Sequence, residues 1–168
     1  MRIIGIDPGL QRTGWGIIDV AGNKLTHISH GVVITDPKAE TPARLMKIFD
    51  ELTQMMALWQ PDEAAVEETF VNKNPASSLK LGLARGVAMV APAKMGLAVA
   101  EYPANLVKKS VVGAGHAEKE QVQAMIKVLL PGVEASSDAA DALAVAICHA
   151  HHRMSKARMG GIMSGASR

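Results

Sequence analysis

The chain has a single cysteine, Cys148, in 168 residues, which excludes an internal disulfide and any cysteine-rich zinc cluster. Aromatic side chains are nearly as scarce, at 3% of the sequence with two phenylalanines, so the position of each one is unusually informative. Neither sign of charge dominates: 18 Lys and Arg stand against 16 Asp and Glu, for a formal net charge of +2. That is too little to attract a polyanion through overall charge, and any basic binding surface has to be local. Long apolar runs are also missing. Arg85 and Lys94 interrupt the most apolar stretch, and the opening segment MRIIGID reaches Asp7 without the apolar core of a signal peptide. The expectation is a soluble cytoplasmic protein with no membrane partner.

What is there suits one compact domain. Arg2 to Ile6 is a short apolar run stopped by Asp7, Pro8 and Gly9, the pattern of a buried strand ending in a turn. Gly14 to Val20 and Leu25 to Ile34 are β-prone and flank the turn signal Ala21-Gly22-Asn23, which predicts an antiparallel meander. From Thr41 to Trp59 apolar residues recur every three or four positions behind Pro42, the signature of an amphipathic helix. Ala64 to Val66 enters Glu67 and Glu68 as a second buried strand. Ser77 to about Val90 reads as a helix that Pro92 ends or kinks. A fifth strand at Leu97 to Glu101 and helices over 104–109, 117–130 and 138–152 complete the pattern. Its order predicts an α/β fold, a mixed five-stranded sheet flanked by helices. The domain is expected to span residues 1–153, and the Gly-, Met- and Ser-rich tail 154–168 to be disordered.

The acids are distributed unevenly along this pattern. Asp7 and Glu67 each close an apolar strand, and in an open α/β sheet strand ends face the crevice where ligands bind. Either one alone reads as a turn aspartate or a salt-bridge partner. Asp138 and Asp141 lie three apart in SSDAADALA, which sets both in the first turn of a helix on one face. Acids there are often only favourable partners of the helix dipole, contributing roughly 0.3 to 1 kcal/mol each. The surrounding alanines offer no cation, so carboxylates gathered in this way would repel one another until a cation bound. Oxygen donors without cysteine point to Mg²⁺ or Mn²⁺, and two such ions about 4 Å apart suit displacement at phosphorus.

The segments GIDPGLQRTGWG, AVEETF, LKLGLARGVA, VKKSVVGAGHAEKEQV and SDAADALAVAICH resemble, in order and spacing, those of the bacterial RuvC crossover junction endodeoxyribonucleases. The resemblance runs from Arg2 to about His152. It implies a ribonuclease H-like fold, a homodimer, and symmetrical Mg²⁺-dependent nicking of four-way (Holliday) junction DNA in recombination and repair. It also implies cooperation with the RuvA and RuvB branch-migration proteins. By this resemblance Asp7, Glu67, Asp138 and Asp141 are the catalytic metal ligands. Pro92 and the Gly-rich tail depart from the family's commonest pattern, but neither touches a metal-binding position.

Contacts to DNA follow from residues and resemblance together. Phe70 sits three residues after Glu67 at a strand-to-loop transition, where it either covers the end of the sheet or stacks on an unpaired base. Lys73, Lys80 and Arg85 follow it, and Lys108, Lys109 and Lys119 form a second basic set, the residues of a phosphate-neutralising rim. The resemblance favours stacking by Phe70 and sets Lys108 and Lys119 nearest the scissile phosphate. Cys148, His149 and His151 read as structural residues of the last helix. The GIDPG turn also resembles the first phosphate loop of actin-like ATPases, but the chain shows no second loop of that kind. A general ribonuclease H and a catalytically dead junction binder are the other readings on this fold.

Overall fold

A computed structural model describes residues 1–68 and 74–165, with the backbone alone for 156–165. The strands are β1 (Arg2–Asp7), β2 (Arg12–Ala21), β3 (Lys24–Ile34), β4 (Glu63–Glu68) and β5 (Ala98–Pro103). The helices are α1 (Thr41–Trp59), α2 (Pro75–Lys94), α3 (Ala104–Val112), α4 (Lys119–Leu129) and α5 (Ser137–Gly165). The strands form one sheet in the order β3-β2-β1-β4-β5. β1, β2 and β3 are antiparallel neighbours, whereas β4 runs parallel to both β1 and β5. The β2–β3 turn passes through Gly22, whose φ of 58° is one that few residues with a side chain adopt.

Alternation along the strands sorts the core into two layers. Ile3, Ile18 and Ala65 pack with Val107, Val122, Ile126, Leu143 and Ile147 of α3, α4 and α5. On the opposite face Ile4, Ile6, Ile17, Ala64 and Val66 meet Ile48, Leu52 and Met56 of α1 and Ala84, Ala88 and Ala91 of α2. Successive residues of β1 and β4 thus serve different layers.

Close packing of the last helix and a pinned turn fix the C-terminal end of β1. Helix α5 carries buried alanines at 139, 140, 142, 144, 146 and 150, and it lies almost backbone to backbone on the central strands. A Cβ on Gly5 would stand 2.1 Å from the Ala142 carbonyl oxygen, and one on Gly14 would stand 2.0 Å from that of Asp138. Small residues on both partners allow this approach, and no larger side chain fits at either glycine. In the turn after β1, the buried Thr13 hydroxyl donates to the Gly9 carbonyl at 2.7 Å, and the Thr35 hydroxyl donates to that of Leu10 at 2.6 Å.

Helix boundaries differ from the sequence expectation in two places. α2 continues through Pro92 to Lys94. Proline there withholds one N–H from the last turn, while its ring is buried and its carbonyl accepts from Met95 and Leu97 at 3.0 and 3.1 Å. α5 runs on to Gly165, past Arg153 where the sequence pattern ends the fold. Lys156, Ala157, Arg158 and Met159 are good helix formers, and extending an existing helix is far easier than nucleating one. Among the described residues no helix is long and apolar enough to cross a membrane.

Candidate active site

Asp7 ends β1, and the β1–β4 register pairs Ile6 with Val66, so the next position on each strand sets Asp7 beside Glu67. Both share the face of Gly5 and Ala65, toward α5. Glu68, one residue further along, belongs to the opposite face. The close approach at Gly14 brings the start of α5 over the end of β1, with Asp138 in its first turn and Asp141 just beyond it.

Asp7, Glu67 and Asp141 line a cavity of about 320 Å³ together with Lys108, Lys119 and Val122, among others, and Asp138 is not part of its lining. The carboxylates of Asp7 and Glu67 have no hydrogen-bond partner among the described residues. Burial, with repulsion from Glu67, Asp141 and Asp138, pushes the Asp7 carboxyl up to about 8. Burial and Asp141 push Glu67 up to about 7, against the opposing pull of Lys108 and Lys119. A protein that holds two desolvated acids side by side has built a place for positive charge.

The two aspartates of α5 do not stand bare, although the alanines around them suggest it. Lys119 Nζ meets Asp141 Oδ2 at 2.8 Å, and Arg12 Nε meets Asp138 Oδ2 at 2.7 Å. Bonding to Asp141 also holds the Lys119 ammonium above its ordinary pKa. These cations arrive from α4 and β2, which neighbouring sequence does not show. Among the described residues no three Asp, Glu, His or Cys side chains converge tightly enough to ligate one ion as they stand. The donor set still fits a hard divalent cation, since it is all carboxylate, and two of its members lack internal partners.

The basic residues are distributed less evenly than expected. Lys108 and Lys119 line the cavity. Lys80 is exposed on α2 and is not part of the lining. Arg85 is half-buried and ion-paired with Glu101 of β5, and its Nε lacks a partner among the described residues. Phe70 and Lys73 lie outside the described residues. The histidines behave as structural groups. Buried His149 hydrogen-bonds Glu63 at 2.7 Å and Tyr102 at 2.9 Å, and His151 lies 3.1 Å from the Ser110 carbonyl. Cys148 is buried beside the Ser110 hydroxyl, at 3.2 Å. Arg12 is the site residue that sequence reasoning misses; the available signal is its place at the start of the strand that pairs with β1.

A mixed sheet in this order, with acids gathered at the ends of two parallel strands beneath the start of a closing helix, defines a ribonuclease H-like nuclease. Residues 3–149 match the family described as crossover junction endodeoxyribonuclease RuvC. The protein of that name from Paramagnetospirillum magneticum is 62% identical over 154 residues, covering 91% of this chain and 93% of the relative. That from Cereibacter sphaeroides is 54% identical over 169 residues, covering the whole of both. Among solved structures, T. thermophilus RuvC in complex with a Holliday junction substrate superposes with a TM-score of 0.86 at 35% identity, covering 95% of this chain and 96% of that one. The chain belongs to the RuvC family of crossover junction endodeoxyribonucleases.

Proposed function

We propose that this chain resolves four-way DNA junctions by symmetrical, Mg²⁺-dependent phosphodiester hydrolysis in recombination and repair. The observation that carries the reading is the convergence of Asp7, Glu67 and Asp141 with Lys108 and Lys119 on one cavity of about 320 Å³. The junction bound to the T. thermophilus relative supports four-way DNA as the substrate.

Asp7, Glu67, Asp138 and Asp141 would hold the metal, two Mg²⁺ ions with Mn²⁺ able to substitute. Their all-oxygen donor set supports this assignment. When bound, the ions supply Lewis-acid stabilisation of charge at the attacked phosphate. The chain's own part is positional. Lys108 and Lys119 neutralise the phosphate beside the acids, and the buried floor formed by Asp7 and Glu67 strengthens charge interactions with it. Phe70 stacks on a base near the crossover, while Lys73, Lys80 and Arg85 extend the basic rim. Cavity placement favours Lys108 and Lys119 in this role over Arg85, which does not line the cavity.

Residues 1–153 form the nuclease domain in this reading, and two copies act together on like strands. Leu79, Leu83 and Val90 leave an exposed apolar stripe on α2, which supports the homodimer. RuvA and RuvB are the partners proposed by family, and the cytoplasm, where the DNA substrate lies, is the proposed location. The test is incubation of labelled four-way and linear duplex DNA with the protein, with and without Mg²⁺. Paired, junction-selective, metal-requiring nicks are expected. Equal cutting of linear duplex, or preference for an RNA–DNA hybrid, would refute the proposal.

A further inference from the structure

Arg12 holds Asp138 by one nitrogen only. Its Nε donates to Oδ2 at 2.7 Å, while its Nη groups donate to nothing among the described residues. The side chain is 45% exposed, against 27% for Asp138, so the guanidinium is open to solvent and to an incoming ligand. Asp141 is held by Lys119 in the same manner. Among the described residues no three carboxylates are grouped closely enough to hold one ion.

We infer that Arg12 is a positioning residue that couples metal binding to DNA binding. It occupies Asp138 while DNA is absent, and it turns to a backbone phosphate when DNA arrives. The inference rests on the proposed four-acid metal site and adds a residue to it. Its physical basis is competition. Asp138 cannot give its full charge to a divalent cation while a guanidinium shares it, and the guanidinium's own charge repels that cation. A phosphate offers Arg12 the planar, bidentate partner that a single Nε contact does not. DNA therefore releases Asp138, and by reciprocity a metal ion bound at Asp138 frees Arg12 for DNA.

The direction of this effect separates it from a plain structural role. If Arg12 merely oriented Asp138, its removal would weaken metal binding; if it competes, removal strengthens binding. The test is Mn²⁺ titration of DNA-free protein, read by loss of the free-ion electron paramagnetic resonance signal. The proteins compared are the wild type, Arg12→Ala, Arg12→Lys and Asp7→Asn. Arg12→Ala should bind Mn²⁺ about two- to fivefold more tightly, the range of an exposed ion pair. Arg12→Lys should stay near the wild type.

Junction binding in EDTA completes the test. Arg12→Ala should lower the dependence of log affinity on log salt by about 0.9, the value for one phosphate contact. Unchanged or weaker Mn²⁺ binding by Arg12→Ala, or an unchanged salt slope, overturns the inference. Asp7→Asn is the control for the underlying site. Undiminished Mn²⁺ binding in that variant would refute the four-acid reading, a result distinct from failure at Arg12.

Discussion

Gly14→Ala is a one-methyl perturbation that tests how the fold holds the site. The added Cβ would stand 2.0 Å from the Asp138 carbonyl oxygen and 2.6 Å from its carbonyl carbon. Both atoms are backbone, so no side chain can rotate away. Cβ atoms essentially never come closer than 3.0 Å to such a neighbour, and the first turn of α5 must retreat by about 1 Å. Overpacking of this kind costs about 1 to 3 kcal/mol, which in a chain of this size lowers the unfolding midpoint by roughly 3 to 10 °C. The same displacement moves Asp138, and with it Asp141, away from Asp7. A misplacement of about 1 Å at reacting groups can lower the rate on the order of 100-fold. The assay pairs thermal unfolding with cleavage of a labelled four-way junction, and measures junction binding in EDTA as the control. Binding should change little, because the added methyl meets the backbone of Asp138 and Ala139 and displaces neither Lys108 nor Lys119. A variant with wild-type midpoint and wild-type cleavage would refute the close-packing argument. A destabilised variant that cleaves normally would break the link between this contact and the site.

Asp7→Asn and Asp141→Asn should each retain junction binding and lose cleavage in Mg²⁺, and Ca²⁺ should support binding with little cutting; appreciable cutting by either variant argues against the four-acid site. Glu67→Gln should lose activity while Glu68→Gln keeps most of it, because only position 67 shares the face of Asp7; the reverse order would show the register to be off by one. The metal-free protein should lose stability as the pH rises. Asp7 is held up to about 8 and Glu67 to about 7, whereas both titrate near 4 in the unfolded chain. The folded state therefore binds more protons across that interval, and its advantage, full below about pH 4, is gone above about pH 8. Asp7→Asn should flatten much of the decline in unfolding midpoint, and identical wild-type and variant profiles would refute this assignment.

Much of the fold is legible because strand and helix periods carry it. The bounds of α1 follow from its apolar repeat behind Pro42, and the meander follows from alternation around Ala21-Gly22-Asn23. Asp7 and Glu67 are visible as acids interrupting apolar strands. What is not legible depends on distant segments meeting. The cation on Asp138 comes from Arg12, 126 positions away, and local spacing holds no record of such a pairing. Gly5 and Gly14 are in plain view, but their role appears only once the alanines of α5 are laid across them. Arg85 reads as a free basic residue because Glu101 lies on another element. Near the ends of α2 and α5, proline and glycine count as breakers in sequence, where the packing and the existing helix that outweigh them are invisible.

The placement of the four acids has a consequence for the newly made chain. Asp7 and Glu67 belong to strands that can pair early, but Asp138 and Asp141 arrive on α5, which follows every strand of the sheet. A chain folded only through β5 holds half of the proposed metal site. On the four-acid reading, nuclease activity then reports the docking of α5: a polypeptide not yet made that far, or one whose α5 has come undocked, is already disarmed without an inhibitor.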